Sequence, residues 1–364
     1  MENNNENELM ELHELYVNTD VLDYTNMDSL KEYNELNSQI IDENEYQYED
    51  DYETEDEIII DMEPAVEMIE EPAVEVVEEP TVAVVEEPTV AVTEEPTVAV
   101  TEENIIFYSP KIPKIVFIIP YRDREHQKDF FSKHMKMILE DISKDDYKIY
   151  YIHQKDEREF NRGAMKNIGF IMLKNRYPND YKNITLVFND IDIMPLTKNF
   201  IDYNTVVGTV KHFYGFDYTL GGIVSMKAED FERINGFPNY WTWGYEDNML
   251  QKRVKNANIN IDRSNYYPIL NKQFLLLHDG FERTINRNEF NRYLQNVNEG
   301  IQSITNLFYA INEETGLVDV TNFQTEYINV KSVNAKYNLG NGANPFKMNV
   351  ITPRNRNGFM KMVL

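Results

Sequence analysis

The middle of this chain predicts an α/β domain built on a mainly parallel sheet, and three observations lead there. Short continuous apolar runs alternate with amphipathic stretches of helical period, first as 114–120 followed by 124–141. The runs are apolar without alternation, as expected for strands covered on both faces. Residues capable of chemistry stand where the runs end, and open parallel sheets bind ligands beyond the C-terminal ends of their strands.

Residues 114–120, K-I-V-F-I-I-P, read as the first strand. The helix of 124–141 places Phe131, Met135, Ile138 and Leu139 on one stripe. Residues 147–153 form a second strand, and 161–174 a second helix through Met165, Ile168 and Met172. The third strand, 184–188, runs directly into Asn189-Asp190-Ile191-Asp192. Gly221-Gly222 mark a close backbone approach before a strand at 223–226, and 230–234 is a helical turn. Further strands are expected at 258–261 and 273–278, and a helix over 288–305.

Charge divides the chain. Residues 1–104 carry 34 Asp and Glu against one Lys, so the net charge of -28 belongs to this arm. The rest carries a net of +5. The arm holds too little apolar surface to offset its ordering entropy and is expected to be disordered. Within it, Pro64, Pro72, Pro80, Pro88 and Pro96 recur every eight residues, with later units reading E-E-P-T-V-A-V. That spacing excludes a long helix over 63–103 and suggests an extended spacer, or an acidic arm that docks a basic partner. The folded domain is expected over 105–330. Residues 331–364 hold six Lys and Arg and no acid, and are expected to form a flexible basic tail.

Several classes fall away. The chain has no Cys, hence no disulfide framework and no thiolate metal site, which fits a reducing compartment. Its longest apolar runs are about six residues, and its first residues carry no secretory pattern. The expectation is a soluble, cytoplasmic protein without a transmembrane segment. The basic tail lacks the aromatic-basic alternation of a nucleic-acid binder, so no nucleic acid is expected.

Residues 235–248, N-G-F-P-N-Y-W-T-W-G-Y-E-D-N, hold both Trp of the chain and an adjacent acid pair. Gly236, Pro238 and Gly244 punctuate the stretch, and Glu246-Asp247 opens a helical pattern that ends in Lys252, Arg253 and Lys255. Alone, this reads equally as an aromatic turn with capping acids or as a functional loop.

Four constellations carry chemistry. Asp190 and Asp192 at a strand end can present oxygens to a hard cation that also bridges a diphosphate. Arg122, Arg124 and Arg162 follow strands or open helices, where guanidinium forks suit phosphate oxygens; surface ion pairs are the alternative. His278 ends the run F-L-L-L-H, and an imidazole there can complete a metal site with Asp192 or serve structure alone. Glu246-Asp247 offers a loop-borne carboxylate able to take a proton from a hydroxyl.

Seven motifs stand in one order: F-I-I-P-Y-R-D-R (117–124), F-N-R-G-A-M-K-N-I-G-F (160–170), F-N-D-I-D-I-M-P (188–195), G-G-I-V-S-M (221–226), I-N-G-F-P-N-Y-W-T-W-G-Y-E-D (234–247), L-L-H (276–278) and E-G-I-Q-S-I-T (299–305). In this order they resemble the β-1,4-galactosyltransferase family, glycosyltransferase family seven, over roughly 113–330. The resemblance implies a GT-A fold and an inverting, metal-dependent transfer of a hexose or N-acetylhexosamine from a UDP-sugar to a glycan or glycoprotein acceptor. It implies that Pro120, Arg122, Arg124 and Phe160 hold the uridine nucleotide and that Arg162 lies by the diphosphate. Asp190 and Gly222 fall on the donor side, and Trp243 on a mobile lid. It further implies that Asp192 and His278 bind Mn²⁺, with Mg²⁺ as the alternative, that Glu246 and Asp247 bind the acceptor, and that Asp247 is the general base.

The chain also departs from the family pattern. The position of the family's Met ligand is Leu275, which cannot coordinate a metal. The family's W-G-W-G-G-E-D-D reads W-T-W-G-Y-E-D-N here, and the lost glycines are expected to stiffen the lid. Thr219 replaces a Tyr that favours galactose, leaving space for an N-acetyl group, so galactose and N-acetylgalactosamine are both expected donors, with glucose a further alternative. Nothing in 1–104 or 331–364 matches the pattern, and no counterpart of the family's membrane anchor is expected in these residues. A sugar-binding protein that has lost turnover is the rival reading. Leu275 favours it, whereas Asp192, Asp247 and His278 together oppose it.

Overall fold

The computed structural model describes residues 111–277, 280, 282–338 and 346. The acidic arm, its repeat and His278 lie outside the described residues. The first strand, β1 (Ile115–Tyr121), is buried along its whole length. Ile115, Phe117 and Ile119 enter one hydrophobic core, and Val116 and Ile118 enter another. Alternate side chains leave opposite faces of a strand, so a continuous apolar run feeds two cores at once. Pro120 pairs in register with Ile152, beyond the last rung that β1 shares with the third strand at Ile118 and Phe188. A residue without an N–H is tolerated where one side of the ladder has ended.

Helix α1 (Glu125–Ile138) buries Phe130, Phe131, Met135 and Ile138 on the first core. Strand β2 (Tyr147–Gln154) then pairs parallel to β1. Helix α2 (Arg162–Arg176) covers the opposite face with Ala164, Met165, Ile168 and Met172. Gly169 permits that contact, because a Cβ there would stand 2.6 Å from Ile118 Cγ2. Strand β3 (Thr185–Asn189) follows. A short ladder pairs β4 (Ile193–Pro195) with β9 (Phe274–Leu276), and between them come β5 (Thr209–Gly215), β6 (Ile223–Lys227), α3 (Ala228–Arg233), α4 (Glu246–Asn256), β7 (Asn260–Asp262) and β8 (Tyr267–Pro268). The described chain ends with β10 (Glu282–Asn286), α5 (Arg287–Leu294), β11 (Thr305–Asn312), β12 (Leu317–Gln324) and β13 (Asn334–Asn338).

The main sheet has the order β11-β12-β2-β1-β3-β6-β5-β7, with β8 beside β5. All its strands run the same way except β6 and β11. This is the α/β, mainly parallel architecture expected. The C-terminal ends of β1, β2 and β3 lie side by side and deliver Arg122, the segment leading to Phe160 and Arg162, and Asp190 to one edge.

Two stretches differ from expectation. The helix expected over 288–305 stops at Leu294, and Thr305 already begins β11. Asn296 adopts a φ of 55°, outside the helical region, and a single 3₁₀ turn (Ile301–Ser303) replaces the rest. Strands β11 and β12 then form a hairpin on the sheet edge, with Leu307, Tyr309 and Ile311 turned toward the core at period two. The described part of 331–364 is not a free tail: β13 pairs antiparallel with β10, and Phe346 is 9% exposed.

Candidate functional site

Helix α2 begins at the site. Asn161 caps it, its Oδ1 accepting from the Ala164 N–H at 2.8 Å, and its own N–H donates to Gln154 Oε1 at 2.8 Å. The Asn161 amide also donates to the carbonyl of Asn239 at 2.9 Å. Further along the helix, the Asn167 side chain accepts from Phe237 N and donates to Phe237 O and Asn239 Oδ1. Asn161, Asn167 and Asn239 are fully buried. They fasten the start of α2 to the loop that leads into 241–245. Buried amides are costly unless fully bonded, so this lattice fixes the geometry firmly. All three sit in quoted motifs, yet their types alone did not distinguish them from surface asparagines.

Arg162, the first residue of α2, is the hub. Its Nη2 reaches Asp190 Oδ1 at 2.5 Å and Oδ2 at 2.7 Å. Its Nη1 reaches Glu246 Oε1 at 2.7 Å and both Asp247 oxygens at 3.0 Å. Lys166, 2% exposed, lies 3.4 Å from Asp247 Oδ1 and 4.0 Å from Asp190 Oδ1. Burial disfavours the Arg162 charge, but Asp190, Asp247 and Glu246 outweigh it and hold its pKa well above the usual value. Burial likewise opposes the Asp247 carboxylate, and Arg162 followed by Lys166 reverses the balance, leaving its pKa lowered. The side chain expected beside the diphosphate is thus enclosed by three carboxylates. In this conformation the guanidinium is bonded to carboxylates and must exchange partners to meet a phosphate. Asp190 likewise faces Arg162.

Glu246 and Asp247 open α4, as expected, with Tyr245 in the cap position at a φ of 67°. The backbone before β6 closes on them. Leu220 N–H donates to the Asp247 carbonyl at 3.3 Å, and a Cβ on Gly221 would stand 2.5 Å from Asp247 Oδ2. Gly222 holds a φ of 70° against the Tyr214 carbonyl, and its own carbonyl accepts from Asp190 N at 3.3 Å. Behind this loop, His212 Nε2 lies 3.1 Å from the carbonyls of Tyr214 and Gly221. Its Nδ1 accepts from Arg263 at 3.1 Å, and Arg263 also bonds Gln251 and the Thr219 carbonyl. Burial and Arg263 push His212 down to about 4, so it is neutral and donates through Nε2. Thr219 is 6% exposed.

On the nucleotide side, Arg122 stacks over the Phe160 ring at 5.5 Å and donates to the Arg158 carbonyl at 2.5 Å. Arg124 occupies the position before α1 without a side-chain capping bond and donates to the Asp123 carbonyl at 3.1 Å. Phe160 accepts from Thr242 N at 3.1 Å, tying it to the aromatic stretch. The two Trp divide. Trp241 is core, stacked on Phe323 with its Nε1–H on the Tyr327 carbonyl, whereas Trp243 is 42% exposed. Thr242 and Tyr245 hold left-handed backbones at φ 73° and 67°. Thr242 Oγ1 accepts from Asn286 N at 2.9 Å, and Tyr245 packs on Phe290, Tyr293 and Phe346. Phe346 also stacks near Trp243 at 6.0 Å.

Of the two expected metal ligands, Asp192 is described and His278 lies outside the described residues. The β4–β9 ladder brings Leu277 N to the Asp192 carbonyl at 2.7 Å, so the chain preceding residue 278 runs beside Asp192. Leu275 is fully buried opposite Met194 and serves the core. Among the described residues, no group of three or more His, Asp or Glu is arranged to hold a metal. One oxygen donor, Asp192, fits a divalent cation.

The architecture and site define an α/β protein with a polar centre at the C-terminal edge of its parallel strands. Two family models match it: the N-terminal region of glycosyl transferase group 7 over residues 71–204, and the N-terminal domain of galactosyltransferase over 204–278. The chain belongs to glycosyltransferase family seven. The first match starts inside the acidic repeat, earlier than the motifs alone indicated. Similar proteins include a beta-1,4-galactosyltransferase 4 of Cricetulus griseus, 30% identical over 180 residues, covering 46% of this chain and 49% of the relative. A xylosylprotein 4-beta-galactosyltransferase of Caenorhabditis elegans is 31% identical over 160 residues, covering 41% and 53%. The chain thus spans about half the length of the curated relatives it matches. The catalytic domain of Drosophila beta-1,4-galactosyltransferase 7, solved with xylobiose, is similar with a TM-score of 0.48 and 21% identity, covering 61% of this chain and 98% of that one. Among the described residues, no helix is long and apolar enough to cross a membrane.

Proposed function

We propose that this chain is an inverting glycosyltransferase that moves galactose or N-acetylgalactosamine from a UDP-sugar to a sugar hydroxyl of a glycan or glycoprotein. The observation that carries the proposal is the placement of Asp247. Its carboxylate opens a helix at the C-terminal strand edge, beside Arg162 and against the bare backbone of Gly221. Family membership supports the same reading.

In this mechanism Asp247 takes the proton of the acceptor hydroxyl, worth about 10²–10⁴ in rate. The freed oxygen attacks the anomeric carbon from the face opposite the nucleotide. The bond from that carbon to the diphosphate oxygen breaks, UDP leaves with the electron pair, and configuration inverts. Arg122 and Phe160 hold the uridine, with Pro120 and Arg124 beside them. Arg162 turns from the carboxylates to the diphosphate, while Asp190 and Gly222 shape the donor side and Glu246 holds the acceptor. Trp243 covers the donor. When bound, a divalent cation, Mn²⁺ or Mg²⁺, held by Asp192 and His278, would supply charge neutralisation to the leaving diphosphate. The small Thr219 admits an N-acetyl group.

A second reading, a sugar-binding protein without turnover, is favoured by Leu275, which offers no thioether to a metal. Asp247→Asn separates the two. It is expected to abolish transfer while UDP-sugar binding persists; unchanged turnover removes the general base.

A further inference from the structure

Lys166 lies on α2 one turn after Arg162 and on the same face. It is 2% exposed, a rare condition for a lysine. Its ammonium stands 3.4 Å from Asp247 Oδ1, 4.0 Å from Asp190 Oδ1 and 4.4 Å from the centre of the Phe237 ring. The groups that face Asp247 are Arg162 and Lys166 from α2, Glu246 from its own helix, Asp190 from the end of β3 and the neutral His212 from β5. Burial and the adjacent Arg162 lower the Lys166 pKa while Asp247, Asp190 and Glu246 oppose them, so its charge is held more firmly once Arg162 moves away. Two basic side chains thus face three carboxylates.

The two cations are not equivalent. Arg162 is 17% exposed in its side chain, starts a helix, and has a planar fork that suits phosphate as well as carboxylate. It cannot serve three carboxylates and a diphosphate together. Lys166 is enclosed by protein and cannot follow Arg162 outward. If Arg162 alone neutralised the cluster, its departure would leave three close carboxylates without a counter-charge, and one would take up a proton.

Resting on the glycosyltransferase reading, we propose that Lys166 is a positioning residue for the general base: it is the fixed counter-charge that keeps Asp247 ionised and oriented when the donor diphosphate draws Arg162 away. Donor binding then exchanges one cation of the cluster without silencing the base.

The test follows the Asp247 carboxyl carbon by NMR in protein carrying ¹³C-labelled Asp, its signal identified with Asp247→Asn. Titrations are run with and without saturating UDP and Mn²⁺. In the wild type, UDP is expected to leave Asp247 ionised at neutral pH; protonation there on adding UDP overturns the proposal, and this arm needs no variant. In Lys166→Met, or Lys166→Gln should the first not fold, the UDP-bound midpoint is expected to rise by at least about one pH unit, with UDP affinity within about twofold. The acid limb of kcat is expected to move the same way. A midpoint unchanged in the variant overturns the proposal, because a purely structural role shifts melting but not titration. Failure of the wild type to bind UDP or turn over any UDP-sugar marks instead the failure of the functional reading.

Discussion

Arg162→Met removes the guanidinium while keeping most of the side-chain volume. The three carboxylates it touches then face Lys166 alone. At charge separations of about 4 Å and an effective dielectric near 20, each lost pair is worth about 4 kcal/mol before relaxation. The carboxylates are 8–24% exposed, so water and proton uptake recover much of this. A net loss of about 3–5 kcal/mol is expected, as for breaking a buried ion pair. Urea denaturation at pH 7.5 and at pH 5 measures it. The sign is fixed by Asp247. In the wild type its folded pKa is lowered, so its contribution is present above the unfolded value and disappears as pH falls through the folded one. Without Arg162, Lys166 can balance only one of the three negative charges, so ionising the cluster costs stability as pH rises. The gap between the two proteins must therefore widen from pH 5 to pH 7.5. A gap under about 1 kcal/mol, equal at both pH values, would show a solvated surface cluster and refute the reasoning.

Thr242→Gly relieves about 1–2 kcal/mol of left-handed strain but strands the Asn286 N–H, so stability should stay within about 1 kcal/mol of wild type. Exchange of the Trp243 amide, bonded to Thr284, should accelerate about tenfold; unchanged exchange would mean that Thr242 does not stiffen the lid. Phe346→Ala opens the contact with Gly244, Trp243, Tyr245 and Phe290 and should cost about 3 kcal/mol, with red-shifted Trp243 emission; unaltered emission removes the contact. Burial pushes the Glu289 carboxyl up to about 7 despite Arg292, so its ionisation in the fold costs about 3 kcal/mol between its ordinary value and pH 7. Stability should fall as pH rises through that window. Glu289→Gln should flatten the dependence, and an equal slope in both proteins contradicts the assignment.

The strands and helices nearest the site were legible because burial on two faces leaves unbroken apolar runs, as in β1, and because helical stripes such as Met165, Ile168 and Met172 face a single core. The β11–β12 hairpin was not: the helix expected over 288–305 runs up to the first residue of β11, and the short alternation of Leu307, Tyr309 and Ile311 beyond it was assigned to no element. Site residues were legible as types at strand ends. Their partners were not: nothing local to Arg162 indicates that three carboxylates from β3 and α4 converge on it, and Lys166 reads as one more helix lysine until α4 packs against it. The departure at Thr242 and Tyr245 from the resembled pattern was readable, but not their left-handed backbones, whose contacts come from Asn286 and the Phe290–Phe346 cluster, distant in sequence.

The central claim is that Asp247 deprotonates a sugar hydroxyl for attack on a UDP-sugar. UDP release across UDP-galactose, UDP-N-acetylgalactosamine and UDP-glucose, with Mn²⁺ or Mg²⁺ and simple sugar acceptors, tests it most directly in wild type and Asp247→Asn. Acceptor-dependent, metal-dependent release is expected in the wild type, with its loss in Asp247→Asn while nucleotide binding is retained. Equal release by both proteins, or none from the wild type with any donor it binds, would contradict it.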